Sequence, residues 1–269
     1  MKRFQAVLLA VILSAGFLGY AEAGVVFTTI DTSFDDHRDS GVSTAYIGDN
    51  GMRAESRAEG EKNTVIFRSD KEVLWVINTA DNSYTEMTKQ DIKKIKGRMD
   101  EAMSMMQEQM KNMPPEQRAM MEQMMKGKAM PMPAQPEKEV YKKVASGVMA
   151  GKWKCDKYEG YRGGQLTEEV WTTSWKSLGI EQKDFRVMQS MGEFMSELSP
   201  DAASKFNVGS DEWEENQGYP GVPVRKISYS MGKKVSQNEI QEIKKEKINS
   251  SLFELPKGLK KNSFTGLEN

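Results

Sequence analysis

The chain has 269 residues and almost balanced charge, with 38 Lys and Arg against 39 Asp and Glu. A net charge of −1 gives no overall basic field, so we expect no nucleic-acid partner. A single cysteine, Cys155, excludes an intramolecular disulfide framework, and a single histidine, His37, excludes metal motifs built on paired histidines.

Residues 1–23 have the pattern of a secretory signal peptide. Lys2 and Arg3 give a charged start, residues 4–20 are mainly apolar, and Ala21-Glu22-Ala23 is a small-x-small cleavage site. The apolar run is too short to favour an anchor, and no later segment has the roughly 20 apolar residues that span a bilayer. We therefore expect residues 24–269 to form a single domain that is periplasmic or secreted.

Residues 24–88 predict short antiparallel β-strands. Apolar or small residues from Met52 to Ala58 alternate with charged residues from Arg53 to Glu59, which is the period of a strand with one polar face. Asp49-Asn50-Gly51 supplies a hairpin turn just before them. Further strands are predicted at residues 64–67, 73–77 and 83–87.

A methionine-rich helical hairpin is predicted over residues 88–127. Thr88 is a suitable N-cap, with Asp91 three residues later as an acidic variant of the capping box. Twelve of the 20 methionines lie between Met99 and Met132, and the first of them recur every three or four residues. Pro114-Pro115 separate the two helices, and residues 128–138 form a proline-rich linker back to the sheet.

The remaining chain predicts more strands around one further helix. The helix, over residues 181–198, carries an apolar stripe that includes Phe185, Met188 and Met195. A hairpin turn at Arg162-Gly163-Gly164 joins two strands whose aromatic side, with Trp153 and Trp171, should face the core. The predicted strands cover residues 140–144, 152–161, 165–174, 222–230 and 235–248, with a short helix from Pro200, a polar stretch at 211–217 and a terminal segment at 250–258.

The chain resembles an exported bacterial family known as domain of unknown function 4412, whose fold is similar to that of Lol-type lipoprotein carriers. The resemblance is carried by Tyr46-x-x-x-x-Gly51-Met52-Arg53, by Val73-Leu74-Trp75-Val76-Ile77-Asn78 with Ser83-Tyr84, by the hairpin from Trp153 to Trp175, and by Leu252-Phe253-Glu254-Leu255-Pro256-Lys257-Gly258. It implies an α+β fold: a curved antiparallel β half-barrel, with the methionine-rich hairpin and a further helix over its concave face. In Lol-type carriers that concavity binds acyl chains.

No familiar catalytic or metal motif is complete. His37 lies in a polar turn, and Cys155 lies in a predicted strand flanked by aromatic residues, so neither suits a nucleophile-base pair. Asp31, Ser33 and Asp35 imitate the start of a calcium loop, but Val42 stands where the bidentate glutamate is needed. We therefore expect no enzyme activity and no cofactor, with Cys155 as a buried residue or a source of an intermolecular disulfide.

The methionines suggest three functions. They can form an adaptable apolar surface for a lipid or an apolar protein segment, a copper(I) site of thioether ligands, or a plain core with no ligand. We favour the first, because leucine would specify a fixed core better than so many methionines. With Val25, Phe27 and Ile77 contributing to the sheet face, the predicted ligand-binding residues are Met99, Met103, Met106, Met110, Met121, Met124, Trp75, Trp153 and Trp171.

Overall fold

A computed structural model of the chain describes residues 21–34, 40–58, 61–111, 139–198 and 202–262. Twelve strands in these described segments form one sheet. They are β1 (Ala21–Ser33), β2 (Ser40–Ile47), β3 (Gly51–Ala58), β4 (Glu61–Arg68), β5 (Val73–Asn78), β6 (Ser83–Thr88), β7 (Val140–Ala150), β8 (Trp153–Arg162), β9 (Gln165–Thr173), β10 (Val222–Ser230), β11 (Lys233–Asn249) and β12 (Lys260–Asn262).

The strand order is β12-β6-β5-β4-β3-β2-β1-β11-β10-β9-β8-β7. Neighbouring strands pair antiparallel except β12, which runs parallel to β6. The first strand therefore lies in the interior of the sheet, where Val25 pairs with both Ile47 and Lys245. Two meanders, one from each part of the sequence, meet at the β1–β11 pair.

The two faces of the sheet are covered by different parts of the chain. Face A carries Val25, Phe67 and Leu74, which share a core cluster with helical residues such as Phe194. Face B carries Ile66 and Trp75, which pack against the terminal segment after β11. Because side chains alternate along a strand, neighbours such as Leu74 and Trp75 belong to opposite cores.

Five α-helices and two short 3-10 helices complete the described part of the chain. The 3-10 helices are Gln182–Phe185 and Ser250–Phe253. The α-helices are α1 (Lys89–Lys111), α2 (Trp175–Leu178), α3 (Arg186–Met195), α4 (Ala202–Phe206) and α5 (Asp211–Gln217). Buried Val187 and Phe194 of α3 lie in the face A core, and buried Phe253 lies in the face B core.

The α+β class, the antiparallel meanders and the exposed methionine-rich helix α1 are confirmed. Residues 211–217, predicted as a polar stretch, form α5, whose N-cap Ser210 accepts a hydrogen bond from the Trp213 amide and whose C-cap is Gly218. The second helix of the hairpin and the linker lie outside the described residues. The curvature of a half-barrel stays a prediction.

Candidate functional site

Helix α1 starts with the capping contacts that its sequence predicts. The Asp91 carboxylate accepts hydrogen bonds from the Thr88 amide at 3.0 Å and from the Thr88 hydroxyl at 2.7 Å. The Asp91 amide donates to the Thr88 hydroxyl oxygen in return. The hydrogen bond from Thr88 lowers the pKa of Asp91, so the carboxylate is charged at the positive end of the helix dipole.

The first turns of α1 join the core. Ile92 is fully buried in the face A cluster, and Lys93 lies 3.9 Å from Glu197 near the end of α3. Further along the helix, Met99 is 56% exposed and Met103 is 50% exposed. The helix is therefore anchored at its start, and Met99 and Met103 further along it are exposed.

The methionine face of α1 is the set Ile92, Ile95, Met99, Met103 and Met106. At 3.6 residues per turn these five positions fall within an arc of about 80°. Met105 lies about 120° away from Met99 by the same geometry, and it is 64% exposed. The methionine face thus runs from buried Ile92 through exposed Met99 and Met103 to half-buried Met106, with Met105 outside it.

A second methionine group lies on α3, where it packs against face A. Partly buried Met188, Met191 and Met195 contact the same cluster as Ile92. The apolar strip is defined here as these three methionines together with Phe27, Val65 and Ile243 of the sheet, all partly buried and packed against that cluster. Ile92 of α1 belongs to the same cluster, so the methionine face begins next to the apolar strip.

The structure does not bring Trp75 onto this surface. Trp75 lies in the face B cluster with Ile77, and its indole nitrogen donates to Glu86 at 2.9 Å. Val25 and Phe27, by contrast, lie with the face A cluster. The sheet-face set predicted from sequence therefore mixes two opposite surfaces, because the pairing register that distinguishes Leu74 from Trp75 is set by the neighbouring strands.

Trp153 and Trp171 form a third group, packed against buried Cys155 and Val224. Lys157 lies 4.8 Å and Arg225 lies 5.6 Å from the centre of the Trp171 ring. Such cation–π contacts cover the ring and stabilise a half-buried sheet surface. Neither tryptophan shares a core cluster with the methionine face or the apolar strip.

Ion pairs surround Trp171. Lys157 pairs with Glu169, which also accepts a hydrogen bond of 2.6 Å from the Tyr229 hydroxyl. Burial acts to raise the pKa of Glu169, but these contacts outweigh it and lower that pKa. Burial and the hydrogen bond to Glu169 raise the pKa of Tyr229 to about 12. Charged residues are thus paired here, which is typical of a stabilising cross-strand network.

The other predicted site residues are placed as follows. Met106 is half-buried. The side chain of Met110 is not described, and Met121, Met124 and His37 lie outside the described residues. Burial raises the pKa of Cys155, whose thiol is enclosed and unreactive in character. The described residues contain no group of three His, Cys, Asp or Glu placed to hold a metal ion.

The methionines of α3 were part of a predicted apolar stripe but not of the predicted site. The signal that could have found them is their type: three unbranched thioethers on a helix whose phenylalanines already supply the core. Within the described part of the chain, no helix has the length and apolar character needed to cross a membrane.

The chain matches no protein-family model and no curated protein, so its resemblance to domain of unknown function 4412 stays a prediction. Among solved structures, an uncharacterized conserved protein from Thermus thermophilus is similar, with a TM-score of 0.44 and 9% identity, over 91% of each chain. The LolA superfamily protein NE2245 from Nitrosomonas europaea is similar with a TM-score of 0.32 and 8% identity, over 89% of this chain and 92% of that one. Likenesses of this size assign no function.

Proposed function

We propose that this chain is a non-enzymatic exported protein that binds an apolar ligand, either a lipid acyl chain or an apolar segment of another protein. The observation that carries the proposal is the exposure of Met99 and Met103 on a helix whose start is anchored in the core by Ile92. Contiguous exposed apolar residues are typical of binding surfaces. Unbranched thioether side chains adapt to varied shapes, which suits a ligand without fixed geometry.

The apolar strip supports the same function. Met188, Met191 and Met195 leave partly buried apolar surface between α3 and the sheet, and Ile92 joins this cluster to the methionine face. An extended ligand could therefore contact α3, the sheet and α1 in succession. We propose further that the sheet is a half-barrel and that the methionine-rich hairpin acts as its lid.

The test replaces two exposed methionines with glutamine. Met99→Gln/Met103→Gln retains side-chain length and helix propensity while removing apolar surface. We expect binding of the fluorescent fatty acid cis-parinaric acid to weaken about 5- to 20-fold, since partial burial of each methionine contributes on the order of 1 kcal/mol. The thermal midpoint should not change, because both residues are exposed.

Met105→Gln is the matched control on the same helix, because Met105 is exposed outside the methionine face. Its affinity should stay within about twofold of the unaltered protein. Absence of saturable fatty-acid binding, together with no apolar molecule in mass spectra of natively purified protein, would refute the proposal. Equal losses in both variants would contradict the assignment of binding to the methionine face.

A further inference from the structure

A charged cleft of about 440 Å³ opens where the start of α3 meets the ends of β1 and β11 and the turn after β2. Its lining residues include four cations and three carboxylates. The cations are Lys183, Arg186, Lys245 and Lys247, and the carboxylates are Asp49, Asp184 and Glu246.

Three of the four cations pair with carboxylates. Lys245 lies 2.7 Å from Asp184, and Arg186 lies 3.3 Å from Asp49. Lys183 lies 2.7 Å from Glu181.

Lys247 differs from these cations, since no carboxylate of the described residues forms an ion pair with it. Glu246, between Lys245 and Lys247 in β11, directs its side chain to the opposite face of the sheet, because side chains alternate along a strand. The cleft therefore combines three ion pairs, two of them well exposed, with one cation that has no partner there. That arrangement is suited to an anion of modest size.

The cleft lies at one end of the apolar strip. Lys245 pairs with Val25 across the β1–β11 ladder, and two residues further the pair is Ile243 with Phe27. Two residues along a strand span about 7 Å. Phe185, between Asp184 and Arg186 in sequence, places its ring 5.9 Å from that of Phe27. The charged cleft thus adjoins the apolar strip, as the polar headgroup of a lipid adjoins its acyl chain.

We propose that this cleft binds the phosphate group of an amphipathic lipid whose acyl chain lies along the apolar strip. The inference rests on the proposed function and adds the ligand's class, a phospholipid. Gly24, the first residue after the predicted cleavage site, also lines the cleft. Cleavage there would place a positively charged α-amino group among the same cations and strengthen phosphate binding.

The experiment compares two ligands that differ only in the phosphate. Protein made from the full-length coding sequence is titrated calorimetrically with oleoyl lysophosphatidic acid, with monooleoylglycerol and with inorganic phosphate. We expect lysophosphatidic acid to bind about 5- to 20-fold more tightly than monooleoylglycerol, with the gap narrowing as salt is raised. Inorganic phosphate alone should bind more weakly than either, because it lacks the acyl chain.

Lys247→Gln should reduce the preference for lysophosphatidic acid at least about threefold, while binding of monooleoylglycerol is unchanged. Lys257→Gln is the control, since Lys257 is an exposed lysine of the terminal turn, outside the cleft. Both variants should keep the thermal midpoint of the unaltered protein.

Each other outcome contradicts a particular claim. Equal affinity for the two lipids, or a preference that survives Lys247→Gln, overturns the phosphate site and leaves the proposed function standing. Failure of both lipids to bind overturns the proposed function and this inference with it. Inorganic phosphate that binds as tightly as lysophosphatidic acid would make the cleft a free-phosphate site and overturn the lipid assignment.

Discussion

At the scale of single residues, the contact between Thr88 and Asp91 determines how α1 leaves the sheet. The Asp91 carboxylate satisfies two donors of Thr88 at the end of β6, and Ile92 follows at once into the core. Capping side chains fix the point at which a helix begins. The direction of the exposed methionine face is therefore set within a few residues of Thr88.

Asp91→Ala should lower the free energy of unfolding by about 1 kcal/mol more than Asp100→Ala does. Asp100→Ala is the control, because it gives the same gain in helix propensity at an exposed position of α1. Folding lowers the pKa of Asp91 from its ordinary value of 3.8. The stabilisation that the charged carboxylate gives is therefore fully present above pH 3.8 and is lost as the pH falls through the lower pKa of the folded protein. Urea unfolding at several pH values should show the difference at pH 7 and its disappearance in stronger acid. A difference independent of pH would contradict a charged cap.

At the scale of elements, the segment after β11 closes face B over the first half of the sheet. Phe253 is almost fully buried, and Arg68 and Lys71 both pair with Glu254 beside it. Gly51 makes this approach possible, because a Cβ at position 51 would overlap the Phe253 ring. The terminal segment is thus part of the core of a sheet whose other face is covered by helices.

Gly51→Ala should destabilise the protein by about 1–3 kcal/mol through overpacking, and Phe253→Ala by about 3–5 kcal/mol through the cavity it leaves. In the double variant the cost of Gly51→Ala should fall by at least about 1 kcal/mol, since the overlap is gone. Gly97→Ala is the control: apart from the neighbouring backbone of α1 itself, a Cβ there would contact nothing within 4 Å, and helix propensity should make the change neutral or slightly stabilising. Strict additivity in chemical denaturation would show that the two residues are independent.

Elements of this fold were predictable where a local pattern determines them. The turn at Asp49-Asn50-Gly51, the cap at Thr88 and the meander strands follow from nearest neighbours in sequence. Helix α5 was missed although Ser210 and Gly218 mark both of its ends, because its seven residues carry almost no apolar periodicity.

The predicted site was harder to derive than the elements, since it depends on which strands pair. Trp75 belongs to face B because Ile66 opposite it does so. The charged cleft joins residues of β1, β11 and the start of α3 that no short motif connects.

At the scale of the whole molecule, the stability of the sheet depends on its interior strand β1. Both of its edges are paired, with Val26 opposite Tyr46 and Lys244. Edge strand β7, by contrast, has irregular register around Val144, which is 46% exposed. Such bulges on an edge strand discourage pairing with other chains.

Val26→Pro should cost about 3 kcal/mol or more, because proline removes a ladder donor and clashes within an interior strand. Val144→Pro should cost less than about 1.5 kcal/mol, since proline is tolerated at bulges of edge strands. Circular dichroism during thermal unfolding measures both changes. Similar losses in the two variants would contradict the interior position of β1.

The pairing of β1 with β11 has a consequence for timing. β1 is among the earliest strands to be synthesised, yet its second partner begins only at Lys233. Contacts so distant in sequence form slowly, so the two meanders join late in folding. Until β11 arrives, β1 has one open edge that can recruit strands from other chains. A chaperone that delays aggregation of the nascent chain would therefore be most effective on residues 21–33.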